Sequence, residues 1–215
     1  RLASCLVDER YLRVVPQIGY LLGPKLIELG FQAREELPLV TLAGPYLDEL
    51  SALTGDTIHL AIREGDEVLY LHKNPGRNGP EMRSRVGHRM PLARTGIGKA
   101  LMLDDTQEEW QRLYEVSLPA GGKNQFWPQH PEQSWEQFQQ RMREYVAGGY
   151  AFDLEDNEPS IRCVAAPIRD ASKRIVAGIS IASTVPYMPL DKMAELIPLI
   201  KGVTARLSAE LGLKV

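Results

Sequence analysis

The sequence predicts an α+β domain with a mainly antiparallel sheet flanked by helices. Three observations predict it. Thr57 to Arg63 (TIHLAIR) and Val68 to Lys73 (VLYLHK) are short apolar runs on either side of Glu64-Gly65-Asp66-Glu67, the pattern of a hairpin. Ile161 to Ile168 and Ile175 to Thr184 are a second pair of strands, joined by the polar stretch Arg169 to Arg174. Apolar residues recur at helical spacing between and after these pairs, from Thr106 to Val116, Pro131 to Ala147 and Leu190 to Leu211.

The composition sets outer bounds. A chain of 215 residues fits one large domain with a smaller piece, and 44% hydrophobic with 25% charged residues supports a core without metal or disulfide staples. Cys5 and Cys163 stand far apart in different kinds of segment, so a disulfide framework is not expected and a reducing cytoplasm is. No apolar run approaches the roughly 18 residues of a membrane span, and no signal peptide opens the chain. A net charge of −3 weighs against a stand-alone nucleic-acid binder, because phosphate neutralisation dominates such binding. Arg1 begins in mid-pattern without a methionine, so the sequence reads as a fragment whose amino-terminal part lies upstream.

In chain order, Arg1 to Arg10 carries Leu2, Leu6 and Val7 at helical spacing. Tyr11 to Tyr20 follows as two short extended pieces around Pro16, and two strands alone are marginal in water. Together they read as the second half of a winged helix-turn-helix. Pro24 suits the first turn of a helix over Lys25 to Arg34, and Pro38 opens another over Leu39 to Leu53, with a break or kink expected at Gly44-Pro45. Gly55 sits where a helix C-cap wants it. After the first hairpin, Asn74 to Pro80 is a loop and Glu81 to Val86 reads as a further strand. Gly96-Ile-Gly98-Lys-Ala-Leu-Met102 is a glycine-opened helix, and Thr106 caps the next. Leu118 to Gln129 is loop, Pro131 to Ala147 is an amphipathic helix, and the last helix is expected to adjust at Pro198.

The stretch from Gly149 to Thr184 organises the rest. A loop dense in carboxylates (Asp153, Glu155, Asp156, Glu158) runs into two strands rich in Ala, Gly and Ser. Strands with such small side chains leave volume on one face, which reads as the floor of a small-molecule pocket with the Asp153 loop at its rim. Most of those carboxylates read as a solvated loop. Gly96-Ile97-Gly98-Lys99 lacks the spacing of a Walker loop or a dinucleotide fingerprint, but a helix start suits a carboxylate through its free amides. His59 and His72 lie on the two strands of one hairpin; His88 and His130 are scattered. No Cys or acidic residue stands at ligand spacing from them, so no metal site and no cofactor is expected. Cys163 has no histidine near it in sequence and reads as a small buried thiol, so no catalytic residue is assigned.

The residues Gly149, Asp153, Asp156, Cys163, Val164, Ala165, Ile168, Arg169 and Asp170 resemble the signature G-x3-[DS]-x2-E-x6-[CSA]-[LIVM]-[GSA]-x2-[LIVM]-[FYH]-[DN] of the isocitrate-lyase-regulator (IclR) family of bacterial transcription factors. Asp156 and Arg169 depart from it, standing where the family has Glu and an aromatic or His. RTGIGKALM (Arg94 to Met102) and YLLGPKLIELG (Tyr20 to Gly30) resemble the family as well. The resemblance implies the end of a winged helix-turn-helix over 1–22, a linker helix over 23–37 and a GAF-like effector domain over 38–215. It implies a homodimer or homotetramer that binds operator DNA through the upstream domain and responds to a small carboxylate or sugar acid. Carried over by position, the effector residues are Gly96 and Ile97, Asp153, Cys163 and Ser180. Ala182 falls where relatives can carry a second serine, and Met82, Met90 and Ile161 supply apolar walls. A GAF-like sensor serving another output, and an enzyme using Asp153 and Cys163, are the competing readings.

Overall fold

The computed structural model describes residues 2–35, 38–118 and 134–214. The chain divides into two compact units, Arg1–Leu42 and Ala43–Val215. The first unit holds α1 (Leu2–Asp8), the two-stranded ribbon β1 (Leu12–Val15) and β2 (Gly19–Leu22), and α2 (Lys25–Glu35). The ribbon turns at Gln17 and Gly19, both at positive φ. The chain leaves it at Gly23, where any Cβ would lie 2.1 Å from the Arg10 carbonyl oxygen.

α3 (Pro38–Thr54) carries the chain across the boundary. The second unit is built on a six-stranded sheet in the order β5-β4-β3-β8-β7-β6, with every neighbouring pair antiparallel. Its strands are β3 (Thr57–Glu64), β4 (Glu67–Asn74), β5 (Arg89–Pro91), β6 (Ala151–Leu154), β7 (Ile161–Arg169) and β8 (Ile175–Thr184). Thr57 pairs with Ala182, Ala182 with Cys163 and Cys163 with Asp153; one step along, His59 pairs with Ser180 and Ser180 with Ala165. Paired residues share a face of the sheet. One face is thus paved with small and polar side chains, while Ile58, Leu60, Val164, Ile168, Ile179 and Ile181 pave the other and are fully buried.

The apolar face is covered by α7 (Leu190–Glu210), which buries Met193, Leu196, Ile200, Val203 and Leu207. Arg206 of α7 binds Glu49 of α3 at 2.8 Å and sits over the Tyr46 ring, whose hydroxyl donates to Glu210. The small-residue face carries α4 (Gly96–Leu101), α5 (Gln107–Ser117) and α6 (Trp135–Gly148). Trp110, Leu113, Phe138, Met142 and Tyr145 from α5 and α6 join α4 and the sheet in one core. α6 opens with a capping box at Ser134 and Gln137 and closes on Gly149 in the left-handed conformation.

Several local expectations are corrected. Of the break or kink expected at Gly44-Pro45 no break occurs: α3 continues through Pro45 as one helix, as α7 does through Pro198, because burial of their apolar stripes outweighs one missing helix hydrogen bond each. Residues 81–86 form no strand; their strand lies three residues beyond them, at Arg89–Pro91. Ala151–Leu154, read as part of a polar loop, is the edge strand β6, its Ala and Asp buried and its Phe and Leu half-buried. The loop expected to end at Gln129, the start of the helix from Pro131 and His130 lie outside the described residues.

Gly98 is as tight a point as Gly23: an added Cβ would lie 2.1 Å from the Leu92 carbonyl oxygen, which belongs to backbone that cannot swing away. Gly98→Ala is therefore expected to destabilise the chain by roughly 1–3 kcal/mol, read as a lower denaturation midpoint, although alanine is the better helix former. An unchanged or raised midpoint would contradict this packing.

Candidate functional site

Between the small-residue face of the sheet, α4 and the segment joining β4 to β5 lies a cavity of about 960 Å³. The expected residues Ile97, Asp153, Cys163, Ser180, Ala182, Met82, Met90 and Ile161 all line it. Gly96 does not. An added Cβ there would come 2.5 Å from the Cys163 sulfur, and the Gly96 amide faces that sulfur. The next amide but one, Gly98, is taken by the Thr95 hydroxyl at 3.0 Å. The glycines that open α4 thus serve its close seating on β6 and β7, and of the two amides expected to meet a ligand carboxylate, Gly96 and Ile97, that of Gly96 already has a partner.

The floor is a short polar relay. His59 on β3 binds the Ser84 hydroxyl through Nε2 at 2.8 Å and faces the Ser180 hydroxyl through Nδ1 at 3.4 Å. Its ring packs 4.9 Å from that of Tyr70. Burial, with the Lys73 charge nearby, pushes the His59 imidazole down to about 3, so it stands neutral with one N–H and one lone pair. The same Lys73 holds the segment above: its ammonium donates to the carbonyls of Met82 at 2.8 Å and Ser84 at 3.0 Å. Residues 80–84 line the cavity outside any strand ladder, and a lysine and a histidine from the sheet supply their hydrogen bonds instead. His59 and His72 do not face each other: His59 pairs with Lys73 and Leu60 with His72, and His72 binds Asn74.

Asp153 lies within β6, 4% exposed, and accepts a hydrogen bond from the Asp156 amide at 2.8 Å. It is a wall residue; Asn157 and Glu158 from the loop beyond it also line the cavity. The carboxylates of this stretch are not a solvated cluster. Asp156 binds the ammonium of Lys99, itself 1% exposed, and the guanidinium of Arg141 at 3.0 Å, while Glu155 binds Arg162 at 2.8 Å. Burial raises the Asp153 carboxyl to about 7; Lys99 works against that shift and Asp156 adds to it. Burial and then the Asp153 charge push the Cys163 thiol up to about 12. Among the described residues no group of three His, Cys, Asp or Glu side chains is placed to hold a metal.

Sequence reasoning missed His59, Tyr70, Ser84, Arg94 and Thr95, which line the cavity, while Glu158 and Thr184 line it on the rim loop and floor strand expected of them. The alternation along β3 that puts Thr57, His59 and Ala61 on one face was legible. The pairing of β3 with β8, which sets His59 beside Ser180, comes from sheet order and was not.

The family model described as bacterial transcriptional regulator IclR C-terminal matches residues 31–209. The chain belongs to the IclR family. The HTH-type transcriptional regulator KdgR of Dickeya chrysanthemi is 30% identical over 214 residues, covering 94% of this chain and 68% of that one. KdgR of Escherichia coli is 29% identical, covering 94% and 79%. The crystal structure of Thermotoga maritima IclR superposes with a TM-score of 0.79 at 26% identity, covering 98% of this chain and 83% of that one. An IclR homolog from Microbacterium hydrocarbonoxydans, solved with 4-hydroxybenzoate, shares the fold at a TM-score of 0.78 and 19% identity, covering 98% and 83%. As an IclR-family chain this is a DNA-binding transcriptional regulator whose C-terminal domain binds a small-molecule effector. No helix among the described residues is long and apolar enough to cross a membrane.

The buried His59 makes a prediction about acid stability. Its folded value lies below the unfolded one, so its contribution is fully present above about pH 6.5 and is lost as pH falls toward 3. Over that window the wild type is expected to lose up to about 1.4 kcal/mol per pH unit from this group, a slope that His59→Gln removes. Chemical denaturation of both proteins at several pH values checks it; parallel curves would contradict it.

Proposed function

We propose that this cavity is the effector site, that its ligand is a small carboxylate or a sugar acid, and that occupancy changes operator affinity without turning the ligand over. The observation that carries this reading is the relay Ser84–His59–Ser180 beside Asp153 on a floor otherwise paved with Ala and Cys. Few fixed polar groups in an apolar cavity are what a small-ligand site needs. Met82, Met90, Ile97 and Ile161 give the apolar walls. Hydroxyls of the ligand then meet Ser180, His59 and Asp153. The Microbacterium homolog, whose ligand carries one carboxylate and one hydroxyl, supports a ligand of this chemistry.

Regulation without turnover suits the same groups. A thiol pushed to about 12 is a poor nucleophile at neutral pH, and the imidazole that would activate one is engaged with two serines. In our reading the chain works in the cytoplasm as a homodimer or homotetramer, with residues 1–22 as the end of the winged helix and 23–37 as the linker. An effector that binds two arrangements of the assembly unequally shifts operator affinity by that difference.

A thermal-shift screen against small carboxylates, sugar acids and aromatic acids tests the reading. A ligand at about 100 times its Kd adds roughly 2.7 kcal/mol to stability. Ser180→Ala and Asp153→Ala are each expected to weaken binding by roughly 1–3 kcal/mol, since each leaves a ligand polar group unpaired. Unchanged affinity in both variants would remove the floor from the site.

A further inference from the structure

One wall of the cavity is attached differently from the rest. Residues 80–84 line it, yet among the described residues no amide from 81 to 86 donates to a backbone carbonyl. Gly79 and Gly87 bracket this stretch in the left-handed region, at φ of +76° and +84°. Beyond each glycine the chain is fixed. On the near side Asn74 donates to Asp48 of α3 at 2.8 Å and Asn78 to the Thr54 carbonyl at 3.1 Å. The amides of Arg77 and Asn78 donate to the Gly55 carbonyl at 2.8 and 3.1 Å. On the far side the Gly87 amide donates to the Tyr70 carbonyl at 2.8 Å, and β5 follows. Two anchored ends with a positive-φ glycine inside each are the makings of a hinged segment.

Between the glycines the stretch is held to the sheet by the cross-strand pair His59 and Lys73. The Lys73 ammonium, on a side chain 7% exposed, donates to the carbonyls of Met82 and Ser84 and lies 3.7 Å from the Glu81 carboxylate. Arg85 reaches the same two carbonyls at 3.1 and 2.9 Å, but it belongs to the stretch and moves with it. The other attachment is the Ser84 hydroxyl on His59 Nε2 at 2.8 Å. His59 Nδ1 faces Ser180, so both ring nitrogens are taken and a ligand that reaches the imidazole must displace a serine. Ser180 is fixed within β8; Ser84 sits on the hinged stretch.

We propose that residues 80–86 form a strap that the effector unlatches: a ligand hydroxyl takes the place of the Ser84 hydroxyl on His59 Nε2, while Lys73 holds the strap closed over the bound molecule. This rests on the cavity's being the effector site. The two attachments then have opposite effects on binding. Ser84 competes with the ligand for His59, so its hydroxyl weakens binding. Lys73 does not line the cavity; it is a positioning residue that acts through the backbone of Met82 and Ser84. A hydroxyl suits the exchange because it can donate or accept, whichever the imidazole nitrogen requires. The strap lifts at Gly79 and Gly87 to admit the ligand and closes again through Lys73 with the place of Ser84 filled.

The test has a ligand-free arm and a ligand arm. In the first, an arginine-specific protease probes the strap, and mass spectrometry follows cleavage after Arg83 and Arg85. Lys73→Met is expected to speed that cleavage at least about tenfold at unchanged circular dichroism, since it removes charged hydrogen bonds that keep the strap down. Ser84→Ala leaves Lys73 in place and is expected to speed it roughly 2- to 10-fold; this variant decides the arm if Lys73→Met does not fold. Equal cleavage in the wild type and the variants would overturn the proposal whether or not a probe binds. In the second arm D-gluconate and 4-hydroxybenzoate are titrated calorimetrically. Ser84→Ala is expected to bind a probe roughly 2- to 10-fold more tightly than the wild type, and Lys73→Met at least about tenfold more weakly. A merely structural role for both residues predicts weakening in both. A probe that binds Ser84→Ala no more tightly than the wild type would overturn the strap and leave the effector site standing. If neither probe binds any of the proteins, the effector-site reading itself fails, and the strap falls with it.

Discussion

The close seating of α4 on the small-residue face of the sheet is the constraint on which the rest depends. Three glycines permit it: Gly96 against the Cys163 sulfur, Gly98 against the Leu92 carbonyl and Gly178 against the Ile97 side chain. A Cβ at the first two would meet its neighbour at 2.5 and 2.1 Å, so the helix could not lie where it does. With α4 in place, Ile97 closes one side of the cavity, and the floor of Cys163, Ser180 and Ala182 is left uncovered beside it. The volume exists because large side chains are absent from one face of three adjacent strands.

Holding polar groups in such a place requires that each be satisfied. The structure does this by segregation. Ion pairs gather in Lys99–Asp156–Arg141 and Arg162–Glu155, on residues that do not line the cavity. The floor itself carries Cys163, Ser180, Ala182 and the neutral His59. Lys73 is the exception, and its charge is directed upward to two carbonyls of the segment over the cavity. That segment is thereby fixed to the same strands that carry His59, so the polar relay and the cavity's cover share one support. A ligand that competes for Ser84 or His59 acts on both.

Much of this was legible in the sequence, for identifiable reasons. The two hairpin pairs, the helix caps and the glycine-opened helix are local signals, and each appears at its expected place. The small residues of β7 and β8 announced a cavity because strand alternation is local too. What was not legible depends on partners distant in the chain. Ala151–Leu154 is a strand only because Cys163 and its neighbours offer it a ladder, and four nearby carboxylates disguised it as loop. Residues 81–86 have strand-like composition, yet Lys73 and His59 capture their polar groups first. Pro45 read as a break or kink because the burial that carries α3 through it lies on other elements. The cavity residues added by the structure, His59 and Ser84 above all, sit on segments whose meeting is set by sheet order.

The central claim is that a ligand occupies the space over Ala182, and filling that space tests it most directly. Ala182 is 3% exposed and lines the cavity between Thr57 and Cys163 in the sheet register. Ala182→Phe places an aromatic ring where the ligand would lie, on a strand whose backbone ladder is unaffected. The measurement is the thermal shift produced by an acid that stabilises the wild-type chain. The account predicts that Ala182→Phe folds with unchanged circular dichroism and shows no such shift. A shift of wild-type size in the filled variant would place the ligand elsewhere and contradict the account.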